Sequence, residues 1–131
     1  MKYWILTTES PPYHGGGIGT YAYQLSLLLN KRGVEVSIFV ADKGATGCTE
    51  EKNDGLRIIR FSPYCAESAS LLGYEAMQSF SFCTIVEGYL DAEGSPDWIE
   101  AQEYNGVAYY LLQKKHIGYE KFRDLKIVVT C

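Results

Sequence analysis

The residues best suited to chemistry lie in one short stretch, Pro11 to Thr20, which reads Pro-Pro-Tyr-His-Gly-Gly-Gly-Ile-Gly-Thr. Its glycines at 15, 16, 17 and 19 let the backbone bend sharply and let a ligand come close to the main chain. The stretch separates a short apolar run, Tyr3 to Leu6, from a periodic apolar segment, Ile18 to Leu29. A glycine-rich turn from a strand into a helix presents unpaired N–H groups at the positive end of the helix dipole, which suits a phosphate. The N–H groups of Gly16, Gly17 and Ile18 are therefore expected to meet a phosphate or a sugar hydroxyl.

Two phosphate motifs can be tested against these glycines. The pattern G-x-x-x-x-G-K-[ST] fails, because no lysine follows them. The dinucleotide fingerprint fits in part: Gly17-x-Gly19-x-x-Ala22 has the right spacing, and Asp42 could take a ribose hydroxyl. In that fingerprint the first glycine closes a tight turn directly after the strand. Here Glu9 to Gly16 intervene with two prolines, which counts against a nicotinamide cofactor. Tyr13, His14, Gln102 and Glu103 are the remaining candidates for gripping an acceptor or a sugar. His14 could donate to a phosphate or hydroxyl near neutral pH, and Glu103 would serve equally in the first turn of a helix. No Ser-His-Asp or Cys-His spacing is present, so no catalytic residue is assigned within the chain. The four cysteines (48, 65, 83 and 131) are widely separated, with no C-x-x-C pair and only His14 and His116 beside them. Neither a metal site nor a disulfide framework is expected, and the thiols read as those of a reduced, cytoplasmic protein.

The elements that must hold these residues alternate in type. Tyr3 to Thr8 reads as a buried first strand, ended by Glu9-Ser10 and an extended Pro11-Pro12 turn. Ile18, Tyr21, Ala22, Leu25, Leu28 and Leu29 mark one apolar helical face, with Gly33 as a left-handed cap. Val34 to Ala41 is a second strand, and Asp42 to Gly55 a long polar loop. Leu56 to Phe61 follows as a third strand, entered through Asp54-Gly55. A second helix runs from about Ser70 to Leu90 on Leu72, Ala76, Phe80, Cys83, Val86 and Leu90, with Gly73 inside it. Trp98 to Ala101 is a fourth strand, a third helix carries Val107, Tyr110, Leu111 and Lys114, and Lys126 to Thr130 is a fifth strand. This alternation predicts an α/β fold with a doubly wound, mainly parallel Rossmann-like sheet and helices on both faces. Ligands in such sheets bind beyond the carboxyl ends of the strands, where Thr8 to Gly19, Asp42, Gln102 to Gly106 and Cys131 fall. A fifth parallel strand should feed another helix, so a chain that stops at Cys131 is expected to be an incomplete sheet from a larger protein.

The bulk numbers agree with a single domain spanning 1–131. A hydrophobic fraction of 47% with 21% charged residues is that of a globular chain. The net charge of −4 argues against nucleic acid as a partner. Lys114, Lys115, Lys121, Arg123 and Lys126 form a local basic cluster that reads as a solvated face. No stretch approaches the roughly 18 apolar residues of a membrane span, which leaves peripheral membrane contact open.

Several blocks carry a family resemblance. Lys2-Tyr3-Trp4-Ile5-Leu6-Thr7-Thr8-Glu9-Ser10-Pro11-Pro12, Gly15-Gly16-Gly17-Ile18-Gly19-Thr20 and Lys31-Arg32-Gly33-Val34-Glu35-Val36 resemble the N-terminal domain of family 4, glycogen synthase-like glycosyltransferases. Asp54-Gly55-Leu56-Arg57-Ile58 and Pro96 to Gly106 look like later blocks of the same domain. The resemblance implies the GT-B architecture, two Rossmann-like domains facing each other across a cleft. It implies retaining transfer of a sugar from a nucleotide-sugar donor to a carbohydrate or lipid-linked acceptor hydroxyl, with no metal or other cofactor. In the family this domain mainly holds the acceptor, and the glycine loop, matched by Gly16-Gly17, approaches the donor diphosphate. The C-terminal domain, with its two-glutamate motif, is missing, as is a histidine just after the strand matching Ile127 to Thr130. The chain alone is therefore expected to be inactive, with uncovered apolar surface that promotes self-association. A NAD(P)-binding domain and a non-enzymatic flavodoxin-like scaffold are the alternatives.

Overall fold

The computed structural model describes the chain except for His14, Cys65 and the side chains of Ala66 and Ser68. Six strands form one sheet: β1 (Lys2–Thr7), β2 (Glu35–Ala41), β3 (Cys48–Asn53), β4 (Leu56–Phe61), β5 (Trp98–Gln102) and β6 (Ile127–Thr130), in the order β3-β4-β2-β1-β5-β6. Every pairing is parallel except that of β3 with β4. The helices are α1 (Gly17–Lys31), α2 (Ala66–Leu72), α3 (Tyr74–Glu93) and α4 (Tyr109–His116), with a 3-10 turn at Tyr104–Gly106. The chain thus builds outward from β1 to β2 and β4, then crosses back to place β5 and β6 on the other side. That reversal puts a topological switch point between β1 and β5, where open α/β sheets bind ligands.

Strand side chains alternate between the faces, as the two-residue period requires. Trp4, Leu6, Phe39, Ala41, Ile99 and Ala101 pack with α3 and α4, while Ile5, Ile38, Val40 and Ile58 pack beneath α1. Trp4 and Phe39 meet with ring centroids 5.1 Å apart, and Tyr89 of α3 closes on Phe39 at 5.2 Å. Each such buried large side chain contributes about 2 kcal/mol of transfer free energy.

Four local expectations change. The segment 42–55 is not all loop, because Cys48–Asn53 pairs antiparallel with β4. Asp54 (φ 51°) and Gly55 (φ 77°) both take positive φ, as a two-residue hairpin of the primed type demands. This edge strand, Cys-Thr-Glu-Glu-Lys-Asn, carries charge in place of apolar alternation, which protects an exposed edge and also hides it from a pattern reading. The long second helix is two helices: Gly73 at φ 80° ends α2 and begins α3, leaving Leu72 and Phe80 partly exposed. The buried line of α1 runs through Gly19, Ala22 and Ser26, while Tyr21 and Leu28 are exposed. Small residues there let the helix lie close on the sheet, and Leu25, Leu27 and Leu29 pack along its flanks. Finally, Pro11-Pro12 is a cis pair within a turn that Tyr13 N–H closes on the Ser10 carbonyl at 2.9 Å, in place of an extended segment.

The basic cluster is largely matched by acidic neighbours. Lys114 pairs with Glu87 at 2.5 Å and Lys121 with Asp91 at 2.7 Å, and Arg123 pairs with Asp124. Among the described residues no helix is long and apolar enough to cross a membrane, and no group of three or more potential ligands could hold a metal ion. Val128 and Val129 of edge strand β6 are exposed.

Candidate functional site

Beyond the carboxyl ends of β1, β5 and β6 lies a cleft of about 450 Å³, lined by Gly17, Ile18, Tyr21, Gln102, Glu103, Tyr104, Thr130 and Cys131. One side is the first turn of α1, whose start is set by Gly16 in an extended conformation (φ −149°, ψ −179°) with no side-chain cap bond of its own. The opposite side is the end of β5, where a strand buried on both faces delivers Gln102 and then turns. Glu103 N–H is tied to the Thr130 carbonyl at 2.9 Å and Gly106 N–H to the Glu103 carbonyl at 2.9 Å. Gly17, Ile18, Gln102 and Glu103, read from the sequence as separate candidates, therefore share one cleft.

Gln102 is 6% exposed, and neither atom of its side-chain amide has a hydrogen-bond partner among the described residues. A buried amide left unpaired costs about 1–3 kcal/mol. A hydroxyl that both donates and accepts would satisfy it. Glu103 is exposed, and its hydrogen bond to the Cys131 thiol raises the pKa of that thiol.

A carboxylate sits beneath the cleft that the sequence reading did not single out. Glu100, 3% exposed, accepts from Tyr3 Oη at 2.5 Å, from Thr130 Oγ1 at 2.7 Å and from Tyr21 Oη at 3.0 Å. Three hydroxyls from β1, β6 and α1 thus converge on a strand carboxylate and fix Tyr21 and Thr130 in the cleft lining. Burial, then the hydrogen bond to Glu100, pushes the phenols of Tyr3 and Tyr21 above their ordinary range. The available signal was a charged residue inside a strand flanked by Ile99 and Ala101.

The glycine loop is closed from the other side by Glu9. Its Oε2 accepts from Gly19 N–H at 3.3 Å, and its carboxylate lies where a Cβ on Gly16 would fall. Gly17 has open space around it. The N-terminus of α1 therefore carries an internal carboxylate on one side and faces the cleft with Gly17 and Ile18 on the other.

Other candidates lie elsewhere. Tyr13 donates its hydroxyl to Glu51 of β3, and the Arg60 guanidinium stacks 3.8 Å from its ring centre, so it is placed over the β3–β4 edge. The hydrogen bond to Glu51 raises its pKa. His14 lies outside the described residues. Asp42 is buried, ion-paired to Arg60 at 2.6 Å and bonded to Gly44 N–H at 2.8 Å. Its carboxylate is engaged in holding the turn after β2, which removes the ribose ligand that a dinucleotide site would need.

A second cleft of about 440 Å³ adjoins the first across Tyr104, lined by Thr8, Glu9, Gly15, Ala41, Lys43, Tyr74, Gln78, Tyr104 and Asn105. It opens between the ends of β1 and β2 and the first turns of α3.

No protein-family model matches the chain, and no curated protein sequence matches it. Solved structures do. The catalytic domain of starch synthase IV from Arabidopsis thaliana, bound to ADP and acarbose, aligns with a TM-score of 0.72 at 17% identity over 99% of this chain. Sucrose-phosphate synthase from Thermosynechococcus elongatus aligns with a TM-score of 0.59 at 18% identity over 86%. Trehalose-6-phosphate synthase from E. coli, bound with UDP-2-fluoro glucose, aligns with a TM-score of 0.55 at 10% identity over 98%. The chain spans 33%, 30% and 32% of those chains. At these identities the likeness is one of fold: a mostly parallel, Rossmann-like sheet of the kind found in GT-B glycosyltransferases.

Proposed function

We propose that this chain is the N-terminal, acceptor-side domain of a retaining family 4 glycosyltransferase, which moves a hexose from a nucleotide-sugar donor to an acceptor hydroxyl in the cytoplasm. The observation that carries this reading is the switch-point cleft, with the α1 N-terminus on one side and the unpaired amide of Gln102 on the other. As the sugar leaves its donor, negative charge grows on the departing diphosphate. The N–H groups of Gly17 and Ile18, fixed at the positive end of α1, stabilise that charge without reorganising. Gly16 shapes the turn that presents them. Gln102 and Glu103 orient hydroxyls of the transferred sugar or the acceptor, and Tyr21 and Thr130 are held in place by Glu100. In this mechanism the backbone dipoles serve the role a metal would otherwise fill, and no cofactor is assigned.

The neighbours' chains are about three times longer than this one, which supports assigning the nucleotide and the opposing side of the cleft to a second domain. The 131 residues alone are then inactive, and their apolar edge strand β6 drives weak self-association that light scattering would detect.

The test is a titration of the 15N-labelled chain with UDP-glucose, ADP-glucose and NAD in separate samples. Nucleotide sugars are expected to shift the amides of Gly17, Ile18, Gln102 and Glu103. Micromolar NAD binding, with no response to either nucleotide sugar, would overturn the reading. Sugar transfer by the chain alone would overturn its expected inactivity.

A further inference from the structure

We propose that the second cleft binds the acceptor and selects one with a polyhydroxylated body and a single carboxylate or phosphate. The word acceptor rests on the glycosyltransferase reading, whereas the ligand chemistry rests on the cleft itself.

Tyr74 and Gln78 stand one turn apart at the start of α3, so both face the same side of the helix. No side chain caps the N-terminus of this 20-residue helix, and its first N–H groups are directed toward the end that forms the cleft. Gln78 is 5% exposed and its Oε1 has no hydrogen-bond partner among the described residues, while its Nε2 makes only a 3.4 Å contact with Tyr74 Oη. An orphan amide oxygen at the base of a cleft asks for a donor such as a hydroxyl. From the strand side, Lys43 holds its ammonium 4.4 Å over the Tyr74 ring. Among the described residues no carboxylate pairs with it, unlike Arg60, which is committed to Asp42. The cation and the helix end converge on one point and suit one negative group.

The opposite side is the 3-10 turn. There Asn105 takes a left-handed conformation (φ 55°, ψ 19°) and lines the cleft beside Tyr104. A non-glycine residue held in that region marks a position whose side chain is aimed by the surrounding structure. Two amides, the hydroxyls of Thr8 and Tyr74 and two aromatic faces are the recognition set of a sugar or polyol. Glu9 also lines the cleft, and its carboxylate is turned to Gly19 N–H. Because Tyr104 borders both clefts, a ligand in the second can present a hydroxyl to the first.

The experiment titrates the 15N-labelled chain separately with glucose 6-phosphate, glucuronate, glucose and inorganic phosphate. Glucose 6-phosphate and glucuronate are expected to shift the backbone amides of Lys43, Tyr74 and Asn105 and the Gln78 side-chain amide, binding at least tenfold tighter than glucose. Inorganic phosphate should bind more weakly than glucose 6-phosphate. Lys43→Gln should erase the difference between charged and neutral sugars. Gln78→Leu should weaken all three sugars while raising Tm, because it removes a buried acceptor that has no donor. The proposal is overturned if glucose binds as tightly as the charged sugars or if inorganic phosphate matches glucose 6-phosphate. It is equally overturned if the shifts are absent or cluster only around Lys114 to Lys126. If charged sugars bind here while nucleotide sugars leave Gly17 and Gln102 unmoved, the glycosyltransferase reading fails and this site stands. The reverse pattern fails this site and leaves that reading intact.

Discussion

Substituting alanine at Gly19 and at Gly17, two residues apart in the same turn of α1, separates packing from ligand binding. A Cβ at Gly19 would lie 3.0 Å from Glu9 Cβ, 3.2 Å from the Glu9 carbonyl carbon and 3.3 Å from its oxygen. Two of these three are backbone atoms, and that backbone is anchored: Thr7 Oγ1 donates to the Glu9 carbonyl at 2.8 Å and accepts from Glu9 N–H at 3.2 Å. The exit of β1 therefore cannot step aside cheaply. Alanine favours a helix over glycine by about 1 kcal/mol, whereas forcing a methyl into a packed contact costs about 1–3 kcal/mol. Gly19→Ala is thus expected to lose about 1 kcal/mol net, or roughly 3–5 °C in Tm for a domain of this size. A Cβ at Gly17 meets nothing within 4 Å, so Gly17→Ala should stay within about 0.5 kcal/mol of the parent. Its methyl would instead narrow the first cleft and weaken nucleotide-sugar binding. Urea unfolding of both variants, followed by titration, reads the two effects. A Gly19→Ala protein as stable as Gly17→Ala would refute the close-packed account of α1.

Gly88→Ala, on the exposed side of α3 with open space around the new methyl, should raise stability by about 1 kcal/mol in thermal unfolding; no gain would mean that the position is not regular helix. Glu100→Ala leaves three hydroxyls without their acceptor and should cost at least about 2 kcal/mol in urea unfolding, so a loss under about 1 kcal/mol would sink the convergence described for it. The hydrogen bonds from Arg57 hold the carboxyls of Glu93 and Glu50 below their ordinary value of 4.5. Their contribution is therefore present above pH 4.5 and fades as pH falls through the lower folded-state values; Arg57→Met should flatten that acid limb, and parallel curves for variant and parent would refute it. Burial pushes the Cys83 thiol up to about 11, whereas Cys48 and Cys131 are exposed. Iodoacetamide at pH 8 should label those two in the native protein and Cys83 only on unfolding, a pattern that peptide mass spectrometry would confirm or contradict.

What the sequence made legible follows from where each signal is local. The parallel strands announce themselves because a strand buried on both faces must be a continuous apolar run, as in Tyr3 to Leu6 and Val36 to Ala41. Gln102 and Glu103 were recognisable because position at a strand's carboxyl end is a topological property that the alternation of elements already implies. β3 was not, since its partner satisfies its backbone while its side chains face water, and six polar residues in a row look like a loop. The Asp54-Gly55 pair carried the missing information: a primed two-residue turn needs a strand before it as well as after it. Glu100 was hidden for another reason. Its partners Tyr3, Tyr21 and Thr130 come from three distant segments, and only the strand order brings them together.

The glycines of the loop serve different ends, and the difference bears on how the first cleft can work. Gly19 allows α1 to close on β1, Gly16 leaves room for the Glu9 carboxylate, and Gly17 faces the cleft. A carboxylate at a helix N-terminus contributes about 0.3–1 kcal/mol, and more when partly buried. α1 is therefore partly charge-balanced before any ligand arrives. That lets the loop keep its shape with the cleft empty, and it lowers the pull of the same helix end on an incoming phosphate. A diphosphate held by Gly17 and Ile18 alone would bind weakly, and most of its affinity must come from a partner surface across the cleft. Weak ground-state attraction is no handicap to the proposed role. The N–H groups count most when charge on the leaving phosphate peaks, and an interaction that grows only then accelerates transfer without tightening the resting complex.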